Sequence, residues 1–567
     1  MLIFSFISMR YSIFGSFYLK LEGRMIGRLV VIGFLFSIVY TAQAQMSKEY
    51  LSAEFHKDRR EVLRAKMPKN SVAVLFSNPV RNRANDVDYV FHQDPNFYYL
   101  TGYREPNAVL VLFSENQKDA SGSCFNEVLY VQKKDPLREL WDGKRLGIEG
   151  VKTELGFSVA KNAEEFIKNA VDFKKFDNVY VEEFSDDYRN SLVNEAEVFD
   201  LVTSFKESSG FNKMSIESPN VKYVHQIIAN VPDAQLEEVA KNLALSFKKY
   251  PEFKKDQLIS EYVDAKTDDL RKKVKHKIKI EIATRKTNLD FKFLPTQLAD
   301  MREVKTKEEI KLLTKAIRIS AIGQIEVMKA MKPHMSESEI QGIHEFVYKK
   351  YGAEYEGYPS IVGAGNNGCI LHYIENSKKK VGKDLVLMDL GAEYRGYTAD
   401  VTRTIPANGK FSPEQKAIYQ IVLKAQNAGI EVSKVGNNFW EPGAKAKKII
   451  NQGLFELGII KSVDESHGYF PHGTSHYLGL DVHDPGNYRQ FRHNSVITVE
   501  PGIYIPEGSP CDKKWWGIAV RIEDDILITN EGPVNLSEEA PRTVKDIEDM
   551  MARKSVLDEF ILPSLDD

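Results

Sequence analysis

The sequence predicts an α+β protein of two domains, and three observations carry that expectation. From about residue 50 to 210, apolar runs such as SVAVLF, AVLVLF and NEVLYV alternate with helical stretches, the pattern of an α/β domain. Beyond residue 300, two pairs of acidic residues sit on β-rich runs at mirrored positions, Asp389 with Asp400 and Glu500 with Glu523. The chain has 567 residues, too many for one typical domain, and its 43% hydrophobic content suffices for sizeable cores. The division is expected near residue 300, separating residues 45–300 from residues 301–567.

At the N-terminus, residues 25–44 (MIGRLVVIGFLFSIVYTAQA) have a basic start at Arg28, an apolar core and an Ala-x-Ala ending at Ala44. That is the pattern of a secretory signal peptide cleaved before Gln45. Its apolar run is short for a bilayer core of about 30 Å, so a cleaved leader is expected rather than a stable membrane span. Residues 1–24 precede Met25, where such a signal would normally begin, and an over-extended gene start accounts for them. Export, with a bacterial periplasmic location, is the expectation. The three cysteines, Cys124, Cys369 and Cys511, form no disulfide framework, so core burial must hold the fold.

Residues 211–300 read mostly as helix, an insertion at the end of the first domain. Between 271 and 286 it carries eight Lys or Arg and one acid. A solvated helix face is the expected reading, with a docking surface for a membrane or an acidic peptide as the alternative. The net charge of -3 argues against a general nucleic-acid binder.

The acidic pairs point to chemistry. Residues 384–389 (DLVLMD) form a short apolar strand, residues 397–404 (YTADVTRT) a second, and EYRG at 393–396 the turn between them. Counting from that turn puts Asp389 directly opposite Asp400, with Cβ atoms about 5 Å apart and like charges in repulsion. Glu500 follows SVITV and Glu523 lies in GIAVRIEDDILIT, with the polar EGSPCDKK segment between, which repeats the arrangement. Acids inside apolar strands are rarely buried unless they are paired or bound to metal. Two divalent cations would neutralise the four carboxylates.

His476, in HGTSHYLGLDVHD at 472–484, supplies a nitrogen ligand. Hard oxygens with one imidazole suit Mn2+, Co2+, Fe2+ or Zn2+, and manganese is the expectation. A lone strand-end carboxylate is most often a solvated edge residue, and a lone His in a Gly-rich loop is most often structural. Two mirrored pairs with a His-rich loop between them weigh against coincidence. Arg521 lies two residues before Glu523, on the same strand face, and is placed to brace the acidic cluster.

Residues from about 300 to 530 resemble the pita-bread metallopeptidases, and most closely aminopeptidase P, the Xaa-Pro aminopeptidases. The resemblance rests on IVGAGNNGCILHYIEN, LVLMDLGAEYRGYTADVTRT, HGTSHYLGLDVHD, VITVEPGIYIP and GIAVRIEDD. Upstream, FHQDPNFYYLTGYREPNAVLVLF and LWDGKRLG resemble that family's N-terminal domain. It implies a C-terminal pita-bread catalytic domain of two pseudo-symmetric halves, opened by an amphipathic helix from about residue 304. An α/β creatinase or aminopeptidase P-like N-terminal domain would precede it. The tail beyond 545 is expected to pack on the catalytic domain or a neighbouring subunit.

For the site, the resemblance implies that Asp389 binds one metal, Asp400 and Glu523 bridge both, and His476 with Glu500 completes the other. A hydroxide between the ions would attack the carbonyl before proline. Glu500 would also shuttle a proton to the leaving proline nitrogen. His372, His472 and His483 match positions that line the pocket, orient the substrate or stabilise the tetrahedral intermediate, and Tyr358 matches a pocket tyrosine. For His483 the alternative is a structural hydrogen bond to Asp481 or Asp484. The implied substrates are peptides beginning Xaa-Pro, whose imide nitrogen lacks a hydrogen and calls for a dedicated site. A prolidase restricted to Xaa-Pro dipeptides and a metal-free binding module are the alternatives. A homo-oligomer, dimer or tetramer, is the family expectation.

Overall fold

A computed structural model of the protein describes residues 49–559 apart from 120, 169–170, 185–195, 212–217 and 285–286. The leader expected over residues 25–44 lies outside the described residues. The chain separates into two compact units, Ala53–Met301 and Arg302–Asp567, the second joined by the residues up to Ser52.

The first unit is built on a six-stranded sheet. Its strands are β1 (Ser71–Phe76), β2 (Val109–Lys118), β3 (Cys124–Val131), β4 (Ala160–Asn162), β5 (Asn178–Tyr180) and β6 (Leu289–Asp290), in spatial order β4-β3-β2-β1-β5-β6. The middle of the sheet is antiparallel, β3-β2-β1, and the outer strands pair parallel. Helix α1 (Ala53–Lys66) sends two buried arginines to one carboxylate on β3: Arg60 lies 2.9 Å and Arg64 2.7 Å from Glu127. A buried acid kept charged in this way needs both partners.

The insertion has a core of its own. Helices α2 (Pro219–Asn230), α3 (Leu236–Ser246), α4 (Gln257–Asp264) and α5 (Asp268–Thr284) bury Val224, Ile228, Leu243, Ile259 and Tyr262 together. On α5, Val274 and Ile278 face that core one turn apart; between them Lys277 is exposed, while Lys275 is half-buried and donates to Val231 O at 2.7 Å. Lys275 pairs with Asp233 at 3.0 Å and Lys277 with Glu261 at 2.9 Å, so acids of the same insertion neutralise part of the basic run.

The second unit repeats one pattern twice: a helix pair, then an acid-bearing hairpin. Helix α6 (Lys307–Ala330) starts at a capping box between Thr306 and Glu309 and packs with α7 (Glu337–Lys350). Strands β7 (Ile361–Ala364), β8 (Leu385–Leu390), β9 (Ala392–Tyr394), β10 (Tyr397–Thr398) and β11 (Val401–Pro406) follow. Helices α8 (Pro413–Val432) and α9 (Glu441–Glu456) begin the second half. Strands β12 (Val496–Val499), β13 (Gly502–Ile505), β14 (Ile518–Arg521) and β15 (Asp524–Thr529) complete it. The tail helix α10 (Val544–Met551) buries Ile547 in the core of this unit. Residues 49–52 group here because Glu49 accepts hydrogen bonds from Tyr394 at 2.7 Å and Arg395 at 2.8 Å.

The first hairpin departs from the expected register. Asp389 pairs with Thr402, and Glu393 and Tyr394 pair with Thr398 and Tyr397, so the turn is Arg395–Gly396 rather than the centre of EYRG. Both turn residues have positive φ, 54° and 87°, the geometry of a two-residue type I′ hairpin turn. Asp389 and Asp400 are therefore diagonal neighbours, and a threonine stands opposite Asp389. Among the described residues, no helix is long and apolar enough to cross a membrane.

Candidate metal centre and substrate cavity

Each hairpin keeps one register along its length but breaks its ladder where the acids sit. In the first, the break holds Gly391, which the register sets opposite Asp400. A Cβ at Gly391 would collide with Ala399 O and the Tyr358 ring, so only glycine fits there. In the second, one ladder ends at Val499 against Asp524 and the other begins at Gly502 against Arg521, which leaves Glu500 facing Glu523 in the gap.

The histidine loop pairs alongside β12. Thr498 N donates to His476 O at 3.0 Å and Glu500 N donates to Thr474 O at 2.9 Å, so His476 and Glu500 lie diagonally across this pairing. His476 N donates in turn to Thr498 Oγ1 at 3.1 Å. The imidazole Nδ1 lies 3.0 Å from Tyr477 O, and a carbonyl can only accept, so Nδ1 carries the proton. Nε2 faces Asp400 at 3.4 Å and Glu500 at 3.9 Å, and once its own proton is lost it has the lone pair and the orientation a metal ligand needs.

Ligand atoms of Asp400, His476 and Glu523 lie within 4.8 Å of one another. Asp389 and Glu500 line the same cavity, of about 740 Å³, together with Tyr358, His372, His472, His483 and Arg521. Every residue expected at the site thus lines one space. Asp389 and Glu500 lie outside the tight trio, and both oxygens of Asp389 are engaged. Arg521 donates to Oδ2 at 2.5 Å and Tyr358 OH lies 2.6 Å from Oδ1. The same hydroxyl lies 2.5 Å from Asp400 Oδ1, and one phenol proton cannot serve both acceptors, so a further positive charge or proton is required there.

The titration of the acids divides in the same way. Burial alone would raise Asp389, but Arg521 beside it holds it below the usual range. Burial and the Asp389 charge push Asp400 up, and burial with Asp400 and Glu500 pushes Glu523 well up. Burial raises Glu500 to about 7. His476 is disfavoured as a cation by burial, yet Asp400 and Glu500 outweigh that and hold it at about 9. A cluster that retains protons on its acids and histidine has the donor set and charge deficit of a site for divalent cations, so the residues fit that group.

His472 is placed differently from the other two cavity histidines. Its Nδ1 lies 2.6 Å from Gly473 O and so carries the proton; its Nε2 accepts from Tyr504 OH at 2.7 Å. That hydroxyl accepts in turn from Arg521 at 2.8 Å. Burial and Arg521 lower His472 to about 4, so it is neutral, with both ring nitrogens engaged. His372 and His483 are exposed in the cavity, and His483 stands edge-on to His476 with ring centroids 4.3 Å apart. The carboxylates next to His483 are bound elsewhere: Arg302 donates to Asp481 at 2.7 Å and to Asp484 at 2.5 Å, and Lys305 donates to Asp484 at 2.9 Å. No hydrogen bond joins His483 to either acid among the described residues.

Sequence reasoning missed Tyr504, Thr402, Asp525 and Gln324. Thr402 Oγ1 donates to Glu523 at 2.6 Å, and Asp525 accepts from Asp400 N at 3.1 Å. Gln324 donates to Met388 O at 3.1 Å and Val401 O at 2.7 Å, clamping both strands beside the aspartates. Only Tyr504 carried a signal: Glu500, Gly502 and Tyr504 alternate along one strand face, and Gly502 leaves room where a Cβ would strike the Tyr504 hydroxyl.

Comparison with known proteins places this geometry. Residues 311–530 match metallopeptidase family M24, and residues 56–180 match the aminopeptidase P N-terminal domain. The chain belongs to the M24 metallopeptidases, with the α+β, pita-bread architecture of that family. Within it, the chain is a member of the aminopeptidase P group. It is 34% identical to the Xaa-Pro aminopeptidase of Haemophilus influenzae over 524 residues, covering 90% of this chain and 99% of that protein. Against the Xaa-Pro aminopeptidase of Escherichia coli the identity is 31% over 518 residues, 89% of this chain and 99% of the other. The structure of aminopeptidase P from E. coli with the inhibitor Pro-Leu superposes with a TM-score of 0.67 at 30% identity, covering 88% of this chain and 98% of that one.

Proposed function

We propose that the chain is a dinuclear metal-dependent Xaa-Pro aminopeptidase that releases the first residue from peptides with proline second. The single observation that carries the reading is the gathering of Asp400, His476 and Glu523 within 4.8 Å, in a cavity that Asp389 and Glu500 also line. Curated relatives that match almost end to end support it, and they disfavour a prolidase. Asp389 would hold one cation, Asp400 and Glu523 both, and His476 with Glu500 the other, with Mn2+ the expected metal and Co2+, Fe2+ or Zn2+ the alternatives. Bound there, the cations would supply Lewis acidity and an activated water at neutral pH.

The chain's own groups do the rest. Glu500, at the edge of the cation site, passes a proton towards the leaving proline nitrogen. His372 and His483 have ring N–H groups available for the carbonyl oxygen as charge develops on it. His472 serves by holding Tyr504 and, through it, Arg521 in place. Tyr358, with its hydroxyl between two aspartates, orients them at the mouth of the prolyl site, and Ile361, Leu371 and Val482 offer an apolar wall for the ring.

The test compares Xaa-Pro-Xaa tripeptides with Xaa-Pro dipeptides under each metal. Release of the first residue from tripeptides, best with Mn2+, is expected, and turnover of dipeptides alone would refute the assignment. An inert binding module would bind no metal and hydrolyse nothing after Mn2+ addition. We further infer export by the 25–44 leader, which predicts a mature N-terminus at Gln45, and a homo-oligomer, which light scattering of the purified protein would read.

A further inference from the structure

A second, smaller hollow of about 340 Å³ shares His472, Gly473 and Ser475 with the main cavity. Two aromatic walls run from one into the other. Tyr488 lines the main cavity and stacks on Trp440 of the second, with centroids 6.1 Å apart and planes at 21°. Phe470, which also lines the second hollow, meets His472 edge-on at 5.2 Å. Despite that stack, Trp440 is 61% exposed, an unusual position for an indole. Lys447 lines this hollow and not the main cavity, exposed and without an ion pair among the described residues.

We propose that this hollow is a subsite for the residues that follow proline in the substrate peptide, and that Lys447 meets its C-terminal carboxylate. The inference rests on the aminopeptidase reading of the main cavity. Charge sets the direction of the chain. A lysine repels the α-ammonium of a peptide and attracts its carboxylate, so the end of the peptide that reaches this hollow is its C-terminus. The peptide therefore runs from the carboxylate cluster past His472 and out along Trp440. Flat aromatic walls hold an extended chain without selecting its side chains, so the subsite reads length and a free C-terminus rather than sequence. Two residues beyond proline extend about 7 Å, so the subsite engages tetrapeptides and pentapeptides more than tripeptides.

The experiment measures kcat/KM for a tripeptide and a pentapeptide beginning Ala-Pro, the latter also amidated at its C-terminus, on wild-type protein, Trp440→Ala and Lys447→Glu. Binding of the same peptides to the metal-free full chain is measured by calorimetry. The wild type is expected to favour the pentapeptide by about fivefold or more, Trp440→Ala to collapse that ratio towards one through KM, and Lys447→Glu to erase the effect of amidation. Equal losses on both lengths, or no change in the ratio, would overturn the subsite. If the wild type cleaves no Xaa-Pro peptide, the aminopeptidase reading fails. The calorimetry then decides: tighter pentapeptide binding that Trp440→Ala abolishes keeps the subsite, and equal binding removes it.

Discussion

The two acid-bearing hairpins resemble each other in sequence yet hold their charges by different means. In the first, Thr402 and Gly391 stand opposite Asp389 and Asp400, so neither acid faces a like charge across the ladder. Arg521 and Tyr358 occupy the Asp389 oxygens. In the second, Glu500 faces Glu523, and burial and neighbouring charge raise both. Two unit charges 4 Å apart repel by about 4 kcal/mol at an effective dielectric near 20, so a facing pair is costly without a counter-ion. Asp389 of the first hairpin is organised before a cation arrives, whereas Asp400 beside it and the facing pair of the second hairpin need one.

The largest expected effect comes from the second hairpin. Glu500→Ala removes both a proposed ligand and the proton carrier, and should lower kcat by about 1000-fold or more, on the scale at which groups acting as a unit fail together. Peptide hydrolysis with saturating Mn2+ reads it. Activity within tenfold of wild type would mean that the facing pair does not carry the chemistry.

Arg521 tests the first hairpin. Arg521→Met keeps the stem and deletes the one cation paired with Asp389 among the described residues, leaving a buried carboxylate held by the Tyr358 phenol beside Asp400. Loss of such a supporting partner typically weakens metal affinity or activity 10–100-fold. Metal titration should show it, and Arg521→Lys should restore only part, because a point charge cannot reach Asp389 and Tyr504 together. An unchanged metal affinity would remove the distinction between the hairpins.

Much of this site was legible in the sequence, because ligands declare themselves by chemical type. Asp389, Asp400, His476, Glu500 and Glu523 are acids and a histidine in apolar surroundings, and the structure brings all five to one cavity. Register was not legible. Placing the turn at the centre of EYRG, rather than at Arg395–Gly396, set Asp389 against Asp400 when its partner is Thr402. Two residues of turn change which side chain lies opposite without changing which face it occupies, so the face came out right and the partner wrong. Supporting polar groups were hidden for another reason. Thr402, Gln324 and Asp525 act through backbone and side-chain contacts that exist only once distant strands meet. The separate core of the insertion was hidden likewise, because Tyr262 and Ile228 show their common neighbours only in three dimensions.

The third expectation concerns protons. In the metal-free protein His476 keeps its proton up to about 9 and Glu500 up to about 7, and a cation must displace both. Metal affinity should therefore rise with pH. The slope is at least roughly tenfold per unit between pH 7 and 9, where His476 releases a proton, and steeper below 7, where Glu500 adds its own, with Glu523, pushed well up, adding to the dependence. Competition with a chelator of known affinity from pH 5.5 to 9.5 measures this. A flat profile would show that neither group is protonated before the metal binds, and the second hairpin would then be as prepared as the first.

The smallest effect tests the join between them. Thr402 lies on the first hairpin, yet its hydroxyl donates to Glu523 at 2.6 Å and its carbonyl accepts from Glu523 N at 3.1 Å. Thr402→Val is isosteric and deletes only the hydroxyl, which leaves a buried carboxylate oxygen short of a donor at a cost of about 1–2 kcal/mol. For a unit of this size that lowers Tm by about 3–6 °C. Thr402→Ser retains the hydroxyl and should retain the hydrogen bond. Calorimetry of the metal-free and Mn2+-loaded forms separates the two roles the hydroxyl could have. If Thr402 chiefly tames the facing pair while it lacks a counter-ion, the Val variant loses stability in the metal-free form and recovers it on loading, because the cation then satisfies Glu523. An equal loss in both forms would assign Thr402 to the strand junction alone, and the two hairpins would be coupled by their backbones rather than by the charge they share.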